Sequence, residues 1–172
     1  MSRKTVIRTL GAATMTAALL LALQAPGASA AETDGHALQN VNSLKYLEIG
    51  GWSTAAGRAA NQWDLNGGAN QAWNIYSDTA ADSTDFIQNR NSGMCLEIPG
   101  WRTDDGAPAV QWPCNGGDNQ RWQLYYIGDY AMLLKNKHSG KCLEVADWSK
   151  ANGAAVRQWS CHGGMNQQWV YK

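Results

Sequence analysis

"CLEIPGWRTDDGAPAVQWPCNGGDNQRW" (residues 95–122) holds three tryptophans, two cysteines and one glutamate among glycines and small residues. Displaced by 47 residues, the chain writes nearly the same words again: Asn89 falls on Asn136, Cys95 on Cys142, Glu97 on Glu144, Trp101 on Trp148, Trp112 on Trp159, Cys114 on Cys161 and Trp122 on Trp169. Without gaps, 17 of the 34 positions from 89 to 122 are identical, far beyond chance, so the stretch is a repeat unit. A displacement of 49 in the other direction finds a more worn copy through Asn40, Ser43, Glu48, Trp52, Gly57, Gln62, Trp63, Gly67, Gly68, Asn70, Gln71 and Trp73. All nine tryptophans fall in these three registers.

Ahead of the repeats, Arg3, Lys4 and Arg8 precede an apolar run from Gly11 to Leu23, and Ala28-Ser29-Ala30 supplies a small-x-small cleavage site. Residues 1–30 therefore read as a secretory signal peptide, too short in its apolar run for a comfortable membrane span. The expected product is a secreted protein of residues 31–172, without membrane insertion. Its 11 basic and 14 acidic residues leave a formal charge of about −3, which offers no electrostatic footprint for nucleic acid or an anionic membrane. Four cysteines in an exported chain point to two disulfides rather than a metal site, since none are closely paired.

The repeats span about 36–76, 84–125 and 130–172, separated by "SDTAADSTD" (77–85) and "YIGDYAMLL" (126–134). Within the middle copy the short apolar runs "FIQN", "MCLEI", "PAVQW" and "RWQLYY" are bounded by Gly, Asn and Asp, the signature of strands joined by turns. Four strands in each of three copies make about twelve, an all-β chain. Closure into a barrel removes the edges that loose strands would expose, with "HALQN" (36–40) pairing with the terminal "QQWVYK" (167–172).

The pattern C-L-E-[IV], then G-x4-Q-W-x-C, then G-G-x-N-Q-x-W resembles the ricin B-chain-type β-trefoil, a lectin and carbohydrate-binding module, over residues 36–172. The Gln-x-Trp triplet occurs three times, at Gln71 to Trp73, Gln120 to Trp122 and Gln167 to Trp169. The resemblance implies a β-trefoil monomer with a sugar pocket in each repeat, no catalysis and no cofactor. In the first copy both cysteine positions change together, to Tyr46 and Leu65, as expected if the two positions touch within a repeat. That predicts Cys95 bonded to Cys114 and Cys142 to Cys161, each closing a loop worth roughly 3 kcal/mol in the chain-entropy account.

A sugar presents hydroxyls in fixed directions and one apolar C–H face, so its site needs a carboxylate or amide and an aromatic platform. The resemblance places Glu48, Glu97 and Glu144 where the family usually has an aspartate that accepts bonds from adjacent sugar hydroxyls; the rival reading has each glutamate tie down a nearby turn or amide. It places Trp63, Trp112 and Trp159 on the stacking position, with core burial as the rival. Trp52, Trp101 and Trp148, four residues beyond each glutamate, read either as a second pocket wall or as lids on the core. Asn70, Asn119 and Asn166 match the family's sugar-bonding asparagine. Gln71, Gln120 and Gln167, with Trp73, Trp122 and Trp169, read as structural. Related lectins often carry a glutamine two residues before the stacking aromatic; here Asn61, Val110 and Arg157 stand there, and Gln62, Gln111 and Gln158 come one place later, on the opposite strand face.

Nothing in the chain supports catalysis or a metal site. His138 and His162 replace Asn91 and Asn115 of the middle copy, and the acidic residues Asp82, Asp85, Asp104 and Asp105 lie in turns or the connector and read as solvated. The leading expectation is a secreted, non-catalytic lectin whose partner is a glycan or polysaccharide; galactose, arabinose, xylose and mannose all offer the needed hydroxyl pair and apolar face. The alternative is a trefoil that binds protein, such as a toxin's binding subunit or a hydrolase inhibitor.

Overall fold

Each repeat forms four short strands because its alternating apolar residues all have an inward neighbour to meet, while glycine and asparagine turns cut every run before it lengthens. The computed structural model describes residues 35–77 and 83–172. The expected signal peptide and residues 78–82 of the connector, Asp82 among them, lie outside the described residues. The first repeat supplies β1 (His36–Asn40), β2 (Tyr46–Ile49), β3 (Ala60–Trp63) and β4 (Ala72–Tyr76). The second supplies β5 (Asp85–Asn89), β6 (Cys95–Glu97), β7 (Val110–Trp112) and β8 (Arg121–Ile127). The third supplies β9 (Ala131–Asn136), β10 (Cys142–Val145), β11 (Val156–Trp159) and β12 (Gln168–Tyr171).

The outer strands of each repeat pair antiparallel in a closed ring, β1 with β4, β4 with β5, β5 with β8, β8 with β9, β9 with β12, and β12 with β1. The last pairing aligns Leu38 with Tyr171 and Asn40 with Trp169, so the two ends of the described chain shut the barrel as expected. The inner strands form three hairpins, β2–β3, β6–β7 and β10–β11. Single bridges Ala59 to Val110, Pro108 to Arg157 and Asn61 to Ala155 link these hairpins in cyclic order. This is the β-trefoil. One expectation needs adjustment: residues 126–134 are not a separator, since Tyr126 and Ile127 continue β8 and pair across a Gly128–Tyr130 turn with Met132 and Ala131 of β9.

The core is as threefold as the sequence. Leu38, Ile87 and Leu134 form one buried set, Leu47, Leu96 and Leu143 a second, and Ile49, Ile98 and Val145 a third. Trp73, Trp122 and Trp169 are fully buried, and each indole N–H donates to the carbonyl of Leu47, Leu96 or Leu143 at 3.0–3.1 Å, so no polar atom of these large rings is stranded. Cys95 is bonded to Cys114 and Cys142 to Cys161. Their counterparts in the first repeat, Tyr46 and Leu65, line one apolar hollow together.

Polar side chains then brace each repeat to its neighbour. Gln62, Gln111 and Gln158 are wholly buried, on the strand face opposite the tryptophan that follows each. Gln111 accepts from Ser92 of its own repeat and donates to the carbonyls of Ser53 and Ala55 in the first repeat, both at 2.9 Å. Gln158 does the same to Arg102 and Asp104, and Gln62 to Ser149 and Ala151. A second ring of braces runs through the buried Asn40, Asn89 and Asn136, whose amides donate to the backbone carbonyls of Asn166, Asn70 and Asn119. The asparagine braces satisfy buried backbone oxygens that would otherwise cost free energy, and the glutamine braces tie down partly buried ones.

Candidate functional site

On the surface of each repeat, the turn after the inner hairpin's first strand makes a shallow hollow. Glu48, Trp52, Trp63 and Asn70 line the first; Glu97, Trp101, Trp112 and Asn119 the second; Glu144, Trp148, Trp159 and Asn166 the third. The three hollows measure about 310, 370 and 240 Å³. All twelve residues singled out in the sequence are thus brought together, four to a hollow.

The scaffold reading of the glutamate holds for one of its two oxygens, which have different neighbours. Oε2 of Glu48 accepts from the amides of Asn70 and Gln71 at 3.1 and 3.2 Å, and Oε2 of Glu97 accepts from Gln120 at 2.7 Å. In these two hollows Oε1 receives no hydrogen bond from the described residues and is not among the buried unpaired atoms. Burial holds the carboxyls of Glu48 and Glu97 above the usual glutamate range, against the opposing pull of those amide bonds. Beside each carboxylate, Oδ1 of Asn70, Asn119 and Asn166 is buried with no hydrogen-bond partner among the described residues. A buried, unpaired acceptor repeated three times at one place is an unusual expense of free energy in a folded chain.

The stacking tryptophans are not core. Trp63 and Trp112 are 43% and 42% exposed, and Trp159 is half-buried. Each leans on a glycine of the adjoining repeat: a Cβ on Gly57 would come within 3.5 Å of Trp112, one on Gly106 within 3.7 Å of Trp159, and one on Gly153 within 3.5 Å of Trp63. Each of these rings therefore packs against a turn of the preceding repeat in cyclic order, and Gly57 lines the second hollow itself.

Trp52, Trp101 and Trp148 form the opposite wall, each about half exposed. Their backbones are left-handed, with φ of 54°, 55° and 54°, a conformation that crowds the Cβ of any residue but glycine and is rare for a bulky one. The ring of Trp52 lies so close over Gly68 that a Cβ there would sit 2.2 Å from it, and one on Gly164 would sit 2.6 Å from Trp148. That contact explains the second glycine of the G-G-x-N-Q motif. Strain of this kind persists only where the surrounding structure holds it, and here the strained residue's indole lines the hollow.

The sequence missed what holds the strained turn. The side-chain amide of Asn91 donates to the carbonyl of Trp52 at 3.0 Å, Asn42 likewise reaches the carbonyl of Trp148 at 3.0 Å, and Nε2 of His138 sits 3.1 Å from the carbonyl of Trp101. His138 occupies the position of Asn91, and an imidazole and an amide do the same work. Each clamp comes from the repeat after the wall it holds, which no within-repeat pattern discloses. The Asn91→Ala variant is expected to lose about 1 kcal/mol of stability, the worth of one hydrogen bond. Urea unfolding beside the parent checks this.

A second expectation separates strain from packing. Trp101→Gly and Trp101→Ala both delete the ring, but only glycine relieves the left-handed backbone, so Trp101→Gly should be about 1 kcal/mol the more stable in urea unfolding. Equal stability would contradict the strained geometry.

Comparison with known proteins agrees with this architecture. The family profile for the ricin-type beta-trefoil lectin domain matches residues 35–169. No curated protein matches the chain by sequence. Among solved structures, the designed three-fold symmetric protein ThreeFoil is 38% identical, with a TM-score of 0.76 over 79% of this chain and 96% of its own. The exo-beta-1,3-galactanase 1,3Gal43A from Clostridium thermocellum is 33% identical, with a TM-score of 0.77; the match covers 82% of this chain but 30% of the enzyme. The ricin B-like lectin of Macrolepiota procera, solved in complex with lactose, shares the fold at 17% identity and a TM-score of 0.69, over 81% of this chain and 95% of its own. With the profile spanning nearly all of the described residues, the chain belongs to the ricin-type β-trefoil lectin domain family.

Proposed function

We propose that this protein is a secreted, non-catalytic lectin that binds carbohydrate through as many as three quasi-equivalent hollows, one to a repeat. The observation that carries the reading is the threefold recurrence of one constellation: two indoles, a glutamate held to the scaffold through Oε2, and a buried asparagine oxygen with no partner among the described residues. The apolar C–H face of a sugar stacks on Trp112, while adjacent hydroxyls donate to Oε1 of Glu97 and Oδ1 of Asn119. The first hollow repeats this with Trp63, Glu48 and Asn70. Shallow hollows of this size hold a monosaccharide weakly, and their fixed spacing raises affinity for a polymer through effective concentration. Solved relatives fit such a role: the Macrolepiota procera lectin was solved in complex with lactose, and the galactanase carries its matching region within a larger chain.

One feature favours a protein partner instead. The β8–β9 hairpin breaks the threefold symmetry and presents Tyr126 and Tyr130, 67% and 83% exposed. A glycan array probed with the mature protein and with its Trp112→Ala variant decides between the readings. Binding to defined glycans that Trp112→Ala weakens supports the lectin. Silence on every glycan, with capture of a protein that Tyr130→Ser abolishes, supports the alternative.

A further inference from the structure

The third hollow differs from its sisters at the position two residues before the stacking tryptophan, where Asn61 and Val110 give way to Arg157. Nε of Arg157 donates to Oε1 of Glu144 at 3.0 Å, and Nη2 donates to Asp147 at 3.0 Å. The guanidinium carbon lies 4.5 Å from the centre of the Trp159 ring. A single cation thus engages the glutamate oxygen that stands open in the other two hollows and covers the face of the stacking indole. The third hollow is correspondingly the smallest of the three.

Two further features belong to this arrangement. Asp147 stands where the other repeats have Gly51 and Gly100, in the same left-handed conformation, with φ of 55°. An aspartate there costs more backbone free energy than glycine, and it supplies the second anchor for Arg157. His162 completes the charged surroundings, with Nε2 3.5 Å from Oε2 of Glu144 and its ring stacked 6.0 Å from Trp148. Glu144 is nearly inaccessible and Arg157 largely covered, so this is not a loose surface pair screened by water.

We propose that Arg157 is an internal plug and a specificity-determining residue: it closes the third hollow to the neutral sugars that enter the first two, so that the chain binds carbohydrate at two sites. The proposal rests on the carbohydrate reading of the hollows. A neutral hydroxyl pair must displace a charged, forked donor from Glu144. The arginine, already tethered in place, loses no translational freedom in holding its position, whereas a free sugar does. Asn61 has no charge and Val110 no donor to offer their glutamates, which leaves Oε1 of Glu48 and Glu97 open to a ligand.

The test follows the indole N–H signals of Trp63, Trp112 and Trp159 in the mature protein, assigned by single Trp→Phe variants. Galactose, arabinose, xylose and mannose are each added to about 100 mM, enough to fill a site of millimolar affinity. Trp63 and Trp112 are expected to shift with at least one sugar while Trp159 does not. In Arg157→Val, and in Arg157→Asn as a second variant borrowed from a sister repeat, Trp159 joins them with the same sugar. Transferring the plug, with Val110→Arg and Gly100→Asp together, silences Trp112. If Trp159 shifts alongside Trp112 in the parent protein, or stays still in both Arg157 variants while they remain folded, the plug is refuted and the lectin reading stands. If no indole responds to any of the four sugars in parent or variants, the carbohydrate reading falls and the plug with it.

Discussion

Glu97→Gln is expected to lower the affinity of the second hollow about 10–100-fold while leaving the fold as stable as the parent or more so, a combination that a purely structural residue cannot show. The variant keeps an oxygen to accept from Gln120 and replaces the outward acceptor with an N–H2 group. It thereby removes the one atom that the scaffold does not use. The stability side follows from the sense of the pKa displacement. Because burial holds the Glu97 carboxyl above its unfolded value, the folded state takes up a proton more readily than the unfolded chain between those two values. The contribution of Glu97 to stability is therefore fullest below its unfolded pKa and declines as pH rises through its folded pKa. Glutamine does not titrate, so the advantage of Glu97→Gln over the parent should grow from acid to neutral pH. Sugar binding should change in the opposite direction, weakening on acidification at a higher pH than an ordinary glutamate would require. Paired urea unfolding and sugar titrations from pH 4 to pH 7 measure both. A variant that binds normally, or one destabilised at neutral pH, would show that Glu97 serves the scaffold alone.

Trp122→Ala carries the largest expected stability loss, about 3–5 kcal/mol, with a proportionate fall in the urea midpoint. Two costs add. The ring is wholly buried among the core side chains, so its removal leaves a cavity that the closed barrel cannot collapse to fill. Its indole N–H also satisfies the carbonyl of Leu96, which would be left buried and unpaired. Trp122→Phe restores much of the volume but not the donor, and should cost less than the alanine variant. By contrast Trp112→Ala, which removes a ring of the same chemistry from an exposed wall, should cost much less stability. Near-equal losses for Trp112→Ala and Trp122→Ala would contradict the division of the tryptophans into core and wall.

The core half of that division was legible in the sequence, which reads Trp73, Trp122 and Trp169 as structural; for Trp63, Trp112 and Trp159, and for Trp52, Trp101 and Trp148, wall and core stayed open, since every tryptophan sits at a regular place in the same repeat. The fold was legible because triplication repeats each inward and outward position three times, so Leu47, Leu96 and Leu143 vouch for one another. The closing pair of strands and the cysteine pairing followed from the same comparison. What the pattern hid was everything that crosses a repeat boundary. The shift of Gln62, Gln111 and Gln158 by one place was visible as an oddity, but only distances to Ser149, Ser53 and Arg102 disclose that these amides brace neighbouring repeats. Arg157 was likewise visible as a departure, yet its reach to Glu144 and Asp147 depends on a rotamer that no letter in the chain specifies. The left-handed backbone at Trp101 was also illegible, because glycine announces such a conformation and tryptophan conceals it.

The clamps from Asn42, Asn91 and His138 have a consequence for how such a protein can change. The residues that steady one hollow are spelled in the following third of the gene, so no third is its own master. A substitution that reshapes one hollow is judged partly by what it does next door, and duplication of a single third would not by itself carry a working copy. Diversity among the hollows then has its freest outlet at side chains whose link to the next repeat runs through the backbone alone, and position 157, with its sister positions 61 and 110, is where this chain has used it.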